Sequence, residues 1–454
     1  MGAAAAIDYT YRYPFASSVG QFDRGFGLRL ATCGANHEHP HFFEGRLLYP
    51  RIVGDMLIAL SDVVRTHYFM PNVSGLVDPV VTSNEEMLRF EGFSGCCGLY
   101  ARVDLDQQAF ESELQGRGTT NVDFNNPMRA ALIRLRDRSD ARLSVGQDQV
   151  ALSRDGQSTV EKKVALPVRW IKAFCEVQAY QPSMELRLEV GAAEARRFVR
   201  SIPRGNAPKR PCFISQLGKS LRLSQRDKRG AIRVQGVNRL RALEPLMGSA
   251  KNLRIWFDPD ARTSGWEIEM DGGRFFLMIS PEIYRGFSGE GQMLEKLATG
   301  DWAEALAGVQ SQLSWQSQID QTELAEKTGF DAAQVEAALA VLGSRGLAGY
   351  DVTSGKYFHR VLPFDLDKIE KLQPRLKGAR KLLEDKKVEL LKTLGGDEFD
   401  LSAGGTGVTH HVRLRADGDK CSCPWYSKHQ GQRGPCKHIL AARMLTGEDE
   451  GDIS

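Results

Sequence analysis

Three cysteines and a histidine near the C-terminal end have the types and spacing of a metal site. They are Cys421, Cys423, Cys436 and His438, which form the pattern Cys-x-Cys, twelve residues, Cys-x-His. Three thiolates and one imidazole complete the tetrahedral shell of zinc, whereas a catalytic zinc site keeps one position open for water or substrate. The sequence therefore predicts one Zn²⁺ ion with a structural role.

Short elements on both sides of this pattern are predicted to position the four side chains. Residues 412–416 alternate apolar and basic side chains, which predicts a strand leading to the first pair. Pro435 precedes the second pair, and residues 439–445 favour a helix. Cys436 and His438 are therefore expected at a helix start, where the helix dipole stabilises the thiolate form of cysteine.

The segment from Val408 to Leu445 resembles the SWIM zinc finger. The resemblance rests on the four ligands, on the proline after the first pair, on Pro435, and on the run Lys-His-Ile-Leu-Ala-Ala that begins at Lys437. As a family, SWIM fingers are DNA-binding or protein-interaction modules, so the resemblance implies one of these two roles. The larger architecture also resembles that of bacterial SWIM proteins associated with AAA+ ATPases and von Willebrand A proteins.

The composition of the whole chain is ordinary for a globular protein. Of 454 residues, 42% are hydrophobic and 26% are charged, and the formal net charge is +3. At roughly 150 residues per domain, about three domains are expected. No apolar run is long enough to span a bilayer, and the N-terminus is a poor signal peptide. The five cysteines outside the predicted zinc site form no disulfide-like framework. We therefore expect a cytoplasmic protein without membrane contact.

The order of predicted elements indicates an α+β multidomain fold, with a β-rich body, a winged helix and a small C-terminal zinc finger. Two stretches of the body repeat one order: two alternating strands, a polar turn, then an apolar helix (Val168 to Val177; Val237 to Met247). This predicts a duplicated sheet-plus-helix module, with two independent domains as the alternative. The predicted boundaries are an N-terminal α/β region at 1–138, the β-rich module with a basic surface at 139–298, a winged-helix-like domain at 301–364, a helical connector at 365–396, the SWIM-type zinc finger at 397–446 and an acidic tail at 447–454.

Two apolar patterns at helical spacing predict long helices outside the repeated stretches. One is a buried helix from Arg51 to Val64. The other is an amphipathic helix from Leu376 to Leu394, which would form most of the connector before the zinc finger.

A glycine turn and a capping residue indicate the winged helix. A short helix from Gln321 ends at Gly329, Asp331 caps a second helix, and a hairpin follows over residues 346–362. The second helix of a DNA-reading winged helix meets the bases, but here its start is acidic. We therefore favour packing or protein contact over base readout for this domain. The wing residues that could still contact a nucleic-acid backbone are Lys356, His359 and Arg360.

The most basic part of the chain runs from Arg196 to Arg241. It contains fourteen arginine and lysine residues, and Asp227 is the one acidic residue in this part of the sequence. Phosphate binding requires such clustered charge, although charge runs are also common on solvated faces.

In the spacer of the zinc finger, Trp425 and its basic neighbours suit stacking on single strands; the alternative is that Trp425 packs over the zinc site. The candidate nucleic-acid contacts are Arg196, Arg197, Arg222, Arg226, Arg229, Arg233, Lys428 and Arg433.

Catalytic motifs are weak in this sequence. His37 to His41 matches the string His-Glu-x-x-His, but Pro40 opposes the helix that this motif needs. On an extended strand, His37, His39 and His41 would face one way, so a second metal site is the alternative. The sequence has no Walker-type phosphate loop and no Gly-x-Ser-x-Gly elbow. We therefore expect a non-enzymatic, zinc-binding protein without a small-molecule substrate, whose partner is nucleic acid or protein. The alternative to nucleic-acid binding is an adaptor role in an AAA+ ATPase or von Willebrand A complex.

Overall fold

The computed structural model describes most of the chain. The described residues are 18–22, 25–29, 41–68, 79–84, 86–121, 124–146, 149–154, 157–162, 168–205, 210–284, 286–289, 291, 294, 302–362, 374–395, 398–405 and 407–448. His37, His39 and the acidic tail from residue 449 lie outside the described residues, and His41 is described in its backbone alone. None of the described helices is long and apolar enough to cross a membrane.

Strands and helices are numbered here in chain order within the described residues. The strands are β1 Ser18–Phe22, β2 Gly25–Arg29, β3 His41–Leu47, β4 Val80–Ser83, β5 Met87–Phe93, β6 Leu99–Asp106, β7 Phe110–Gln115, β8 Gly118–Asn121, β9 Ala141–Gly146, β10 Gln149–Arg154, β11 Gln157–Lys162, β12 Glu185–Gly191, β13 Cys212–Leu217, β14 Ser220–Ser224, β15 Ile232–Val234, β16 Asn252–Asp258, β17 Thr263–Met270, β18 Gly273–Ile279, β19 Ala348–Asp351, β20 Lys356–His359, β21 Val388–Gly395, β22 Glu398–Gly404, β23 Thr409–Leu414 and β24 Lys420–Cys421. The α-helices are α1 Pro50–Arg65, α2 Asn126–Ile133, α3 Val168–Tyr180, α4 Ala192–Ser201, α5 Ala303–Ser311, α6 Gln321–Thr328, α7 Ala332–Ser344, α8 Pro374–Glu384, α9 Pro424–His429 and α10 Lys437–Glu448.

The strands form one large sheet and several smaller ones. The large sheet has eight strands in the order β12-β16-β17-β18-β6-β5-β4-β8, and a second sheet has five in the order β11-β10-β9-β3-β7. The smaller sheets have the orders β1-β2, β14-β13-β15, β19-β20 and β21-β22-β23-β24. The chain is therefore a mixed helix and sheet fold, with the predicted cysteine and histidine site in its C-terminal sheet-and-helix unit.

The centre of the eight-stranded sheet is buried on both faces. Every residue of β6 from Leu99 to Leu105 is buried. Helix α1 packs across β5 and β6 through one apolar face, which includes Val53, Met56 and Leu60. This helix confirms the prediction for Arg51 to Val64 to within one residue at each end.

Strands precede a helix in both repeated stretches, as predicted, but each stretch has three strands instead of two, and the second helix differs in type. Strands β9, β10 and β11 precede α3, and strands β13, β14 and β15 precede the second predicted helix. That second helix, Val237–Gly248, is a 3-10 helix with Pro245 inside it. Proline removes an N–H donor and clashes with the preceding turn, so a regular α-helix is unfavourable there. The duplication itself stays a prediction.

Residues 302–362, called here the helix–hairpin segment, have a small core of their own. Helices α5, α6 and α7 are followed by the hairpin β19-β20, and Ile319 pairs with Tyr357 beside that hairpin. Helix α6 ends at Gly329 with a φ of 78°. Asp331 caps α7 by accepting from the Gln334 N–H at 2.8 Å. Helix α6 therefore ends, and helix α7 begins, where the sequence predicts.

The predicted helix from Leu376 to Leu394 is wrong in its second half. Helix α8 ends at Glu384, and residues 388–395 form strand β21, which pairs with β22. Lys386 has a φ of 51°, which ends the helical turn. Pairing with β22 then supplies backbone hydrogen bonds that a continued helix would have made locally, so tertiary pairing overrides the local pattern. At the other end of the finger, Gly447 and Glu448 complete α10 instead of beginning a tail.

Candidate metal centre

Three element ends bring the four predicted zinc ligands together. Cys421 lies on β24 and pairs with Val412 of β23. Cys423 is the N-cap of α9. Cys436 immediately precedes α10, and His438 lies in the first turn of that helix. The strand before the first pair and the helix at the second pair are therefore arranged as the sequence predicts.

The four ligand atoms have the geometry of a closed tetrahedral site. They all lie within 4.8 Å of one another. His438 Nδ1 is 3.9 Å from Cys421 Sγ and 4.0 Å from Cys436 Sγ. Zinc bonds of about 2.3 Å to sulfur and about 2.0 Å to nitrogen would separate such ligands by roughly 3.5 to 3.8 Å. The two sulfur–nitrogen distances would shorten by a few tenths of an ångström around Zn²⁺, and a pair at the 4.8 Å limit would shorten by about 1 Å.

The electrostatics of the cluster favour a divalent cation. The neighbouring Cys436 thiol and burial raise the pKa of Cys423 to about 12. The Cys421 thiol is the largest influence that raises the pKa of Cys436, to about 11. Cys423 and Cys436 therefore resist ionisation on their own, and a metal ion reverses that because it binds the thiolates directly. Two N–H groups already point at the sulfurs, Tyr426 N–H at Cys423 Sγ (3.4 Å) and Ile439 N–H at Cys436 Sγ (3.5 Å).

Burial closes the cluster to substrate. The exposed fraction is 6% for Cys421, 2% for Cys423, 2% for Cys436 and 4% for His438. With four protein ligands and no solvent-facing side, the site has the character of a structural zinc centre. The donor set and the geometry both fit Zn²⁺, and the residues around the site supply its packing.

Trp425 packs against the outside of this centre between two arginines. The Arg375 guanidinium lies 4.8 Å from the centroid of the Trp425 ring, and the Arg433 guanidinium lies 4.9 Å from it. Arg375, from α8, also donates to the carbonyl oxygens of Arg433 (2.8 Å) and Pro435 (2.9 Å). Trp425 is thus part of the packing of the finger, and α8 is tied to the loop that carries Cys436. This arrangement favours the packing alternative for Trp425 over an open stacking surface.

Some of the predicted nucleic-acid contacts are used inside the fold. Arg196 Nε donates to the Met247 carbonyl at 3.2 Å. Arg197 donates to the Glu194 carboxylate at 2.7 Å and to a backbone carbonyl of β14. Arg233 donates to the Pro281 carbonyl at 3.2 Å. These three side chains hold neighbouring elements together, so they have few donors left for phosphate.

The remaining predicted contacts lie at the surface. Arg222 is exposed on β14, and Arg226 and Arg229 are exposed in the loop between β14 and β15. Lys428 is exposed on α9, whereas Arg433 is half-buried against Trp425. A role in nucleic-acid binding stays a prediction for all eight residues. The structure places most of the exposed residues of this set on β14 and in the loop between β14 and β15.

Buried ion pairs, which sequence patterns did not indicate, attach the helix–hairpin segment to the large sheet. Arg89, Arg102 and Arg274 share one face of this sheet with Asp104, and Asp351 of β19 inserts among the three guanidinium groups. Arg102 Nη2 donates to Asp351 Oδ1 at 2.8 Å. Burial alone would raise the pKa of Asp351, but the guanidinium groups hold it well below its usual range. The pairing joins residues 249 positions apart in the sequence.

The basic residues of the hairpin take part in this attachment. Arg360 is fully buried and donates to the buried Glu91 carboxylate. His359 is 6% exposed, and its Nδ1 accepts from the Trp315 N–H at 2.7 Å. Lys356 donates at 3.0 Å to the carboxylate that caps α6. The prediction that His359 and Arg360 contact a nucleic-acid backbone is therefore wrong, because both face the protein interior.

Helix α7 is also packed against the body. Its residues 338–344 are all buried. The Cys175 thiol of α3 donates to the Ser344 carbonyl at 2.8 Å, and the Tyr350 N–H donates to Gln178 Oε1 of the same helix at 2.7 Å. The helix that a winged-helix DNA reader would insert into a groove is thus covered along most of its length, and its exposed start remains acidic.

Comparisons with known proteins agree with the metal site. Residues 410–442 match the family described as SWIM zinc finger, and this match includes all four ligands. Curated proteins gave no match to the chain. Among solved structures, proliferating cellular nuclear antigen from Entamoeba histolytica is similar at 9% identity with a TM-score of 0.37, over 53% of this chain and 99% of that chain. The PCNA2-PCNA3 complex from Sulfolobus tokodaii is similar at 9% identity with a TM-score of 0.39, over 52% of this chain and 98% of that chain. These TM-scores are too low to assign a shared fold.

Proposed function

We propose that this is a non-enzymatic protein that binds nucleic acid, with Zn²⁺ as a structural element of its SWIM finger. The observation that carries the proposal is the charge of the three-stranded sheet β14-β13-β15. Residues 210–236 contain seven basic residues and one acidic residue. Within the described residues, no salt bridge engages Arg222, Arg226, Lys228 or Arg229, and all four are exposed.

Exposed cations of this density suit a phosphate backbone. Each phosphate that a lysine or arginine neutralises releases condensed counterions, and this release supplies much of the affinity at low salt. The net charge of the whole chain is only +3, so the attraction would be local to this sheet. Steering by a local patch of this kind raises the association rate without requiring base contacts.

We further propose that residues 301–364 form a winged helix that serves packing instead of DNA reading. The order of its helices and hairpin supports this fold, and the burial of α7 and of the hairpin supports the packing role. Duplex readout by a helix in the major groove would require α7 to leave α3. The nucleic-acid surface proposed here therefore lies on the basic sheet.

Fluorescence anisotropy across a salt series tests the proposal. Labelled single-stranded and duplex DNA and RNA are titrated with the full chain. The test variant replaces Arg222, Arg226 and Arg229 with alanine, and we expect it to reduce the slope of log K against log salt by about 2 to 3. The matched control replaces three exposed cations elsewhere, Arg138, Lys377 and Lys381, and should leave affinity unchanged. Absence of binding at low salt by the wild-type protein would refute nucleic-acid binding.

An adaptor role in an AAA+ ATPase or von Willebrand A complex is the second candidate. The observation that favours it is the edge strand β21, where Leu390 and Leu391 are 43% and 51% exposed. Exposed leucines on an edge strand are costly unless a partner covers them. A partner of this class should stay bound at a salt concentration that abolishes phosphate contacts, and Leu391→Lys should release it without loss of zinc. Retention by that variant would contradict the role of β21. A cytoplasmic location stays a prediction under both candidates.

A further inference from the structure

The sheet β14-β13-β15 has one apolar face and one polar face. On β13, Cys212 and Ile214 are 4% and 0% exposed and belong to the main core. Their partners across the sheet, Ile232 and Val234, are each 1% exposed. Because side chains alternate along a strand, the residues between them must lie on the opposite, outer face.

Phe213 is an aromatic residue on that outer face. It is half-buried, although phenylalanine at a strand centre is normally directed to the core. Its neighbours in the chain, Cys212 and Ile214, belong to the main core cluster, whereas Phe213 does not. Two positions further along the same face is Ser215, and Leu217 follows with an exposed fraction of 68%. The outer face thus offers a partly exposed aromatic ring, with Ser215 and Leu217 further along the same strand.

Strand register places arginines next to Phe213. Arg233 of β15 lies directly opposite Phe213, and Arg222 of β14 lies opposite Ser215 on the same face. Arg233 is held by the Pro281 carbonyl at 3.2 Å, so its guanidinium is part of the fold and the phosphate contacts fall to Arg222. Arg222 is exposed and has no such acceptor within the described residues. Cross-strand neighbours of this kind are about 5 Å apart, within reach of one nucleotide.

Further basic residues lie in the loop that connects β14 to β15. Arg226, Lys228 and Arg229 are exposed in the loop that follows Ser224, and Ser224 is the other cross-strand neighbour of Phe213. A strand of nucleic acid that crossed the sheet at Phe213 would therefore meet Arg222 on the sheet and then the basic loop. Proteins that bind single strands combine a basic track with aromatic rings in this way.

Resting on the proposed function, we infer that the ligand of this sheet is single-stranded nucleic acid, with Phe213 as the stacking platform for an unpaired base. In a duplex the bases are stacked on each other, and their faces cannot reach a ring on a flat sheet. In a single strand the faces are free, and base–aromatic stacking adds affinity with little sequence preference. Arg222 and the basic loop contact the phosphates on either side of the stacked base.

Paired substitutions at Phe213 separate stacking from folding. Phe213→Leu keeps an apolar side chain but removes the aromatic face, and Phe213→Tyr keeps the face. We expect Phe213→Leu to weaken binding of an oligothymidine of about 12 nucleotides by about 10- to 100-fold, and Phe213→Tyr to stay within about 2-fold of wild type. Thermal unfolding of both variants checks the fold. Ile133→Ala, an exposed apolar residue on α2, is the control for loss of surface hydrophobicity.

The salt dependence distinguishes this inference from the proposed function. Phe213→Leu should leave the slope of log K against log salt unchanged, whereas Arg222→Ala should reduce it by about 0.7 for a single strand. Equal or tighter binding of a duplex, or full affinity in a folded Phe213→Leu variant, would overturn the single-strand inference while leaving nucleic-acid binding intact. Absence of binding by the wild-type protein at low salt would overturn both.

Discussion

Acidification from pH 7 to pH 5 should destabilise the helix–hairpin segment through one buried histidine. His359 is 6% exposed, and its Nδ1 accepts a hydrogen bond from the Trp315 N–H at 2.7 Å. The Trp315 ring lies against it, with 4.8 Å between ring centroids. Trp315 has a φ of 65°, a strained conformation for a residue with a side chain. The neutral imidazole therefore fixes a loop that would otherwise relax.

The magnitude follows from the pKa of His359. Burial lowers this pKa from the ordinary 6.5 to about 4. Between these two values the unfolded segment binds a proton that the folded segment does not, so the free energy of unfolding decreases as the pH falls. The contribution is complete above pH 6.5, is reduced by about 2 kcal/mol at pH 5, and is reduced by about 3 kcal/mol near pH 4.

Hydrogen exchange measured by mass spectrometry on peptides from residues 302–362 gives the opening free energy of this segment. The comparison is between wild-type protein and His359→Gln, whose amide oxygen can still accept from the Trp315 N–H. The difference between the two proteins should change by about 2 kcal/mol from pH 7 to pH 5. Zinc release and the other titrating groups act on both proteins and cancel in that difference. A difference that is the same at both pH values would refute the reasoning.

Three further predictions concern the zinc centre and the buried charges. Cys436→Ser should lower bound zinc from about one equivalent to below about half, and the unfolding transition of the finger should disappear; full zinc content would contradict the ligand assignment. Glu91→Gln leaves the buried Arg360 without its carboxylate and should cost about 3 to 5 kcal/mol in urea unfolding. Adding Arg360→Met should recover at least half of that loss, and no recovery would mean that the pair is not the cause. Leu376→Ala on α8, at a site that is 1% exposed, should cost about 2 to 5 kcal/mol and make zinc easier to chelate. Lys381→Ala, exposed on the same helix, should not.

The zinc ligands could be predicted from sequence because they are local in the chain. Both pairs have fixed short spacing, and Pro435 and the apolar run after it specify the helix start that carries Cys436 and His438. Each element needs only residues close in sequence to form. The core that supports them is less local. Leu376 and Leu382 of α8 pack into the same cluster as the ligands, and no spacing rule relates them to the finger.

The attachment of the helix–hairpin segment to the large sheet could not be predicted, because the sequence pattern around its charged residues is typical of exposed positions. Arg89 and Glu91 alternate with Leu88 and Phe90, a pattern that normally indicates a strand with one solvated face. In the structure that face is covered, and Arg89 and Glu91 are 1% and 0% exposed. The covering residues come from more than two hundred positions away in the chain, as the Glu91 pair shows. The alternation of apolar and charged residues along a strand shows which residues lie on the same face of the sheet. It does not show what covers that face.

The error at β21 has a related cause. Leu382, Leu383, Leu390 and Leu391 repeat at a helical period, and the prediction of one helix used all four. The exposed fraction is 6% for Leu382, whereas it is 43% for Leu390 and 51% for Leu391. The last two leucines therefore do not share the face of the first. A periodic pattern interrupted by Asp-Lys-Lys fits two elements as well as one, and only pairing with β22 decides between them.

The basic stretch shows why a count of charges overestimates phosphate contacts. Four of its fourteen basic residues donate to backbone carbonyls inside the fold. Arg239 is fully buried, and its Nη1 donates to the Gly98 carbonyl at 2.9 Å. The other three are Arg196, Arg197 and Arg233. Arginines that bond carbonyls in this way hold loops and strands together and are unavailable to a ligand. The described residues leave seven exposed cations that form no salt bridge: Arg200, Arg210, Lys219, Arg222, Arg226, Lys228 and Arg229. If these seven alone contact phosphate, the salt slope for a single strand should be about −5, whereas all fourteen would give about −10. A slope near the steeper value would mean that the internally bonded arginines leave their carbonyl acceptors on binding, and that the sheet rearranges around its ligand.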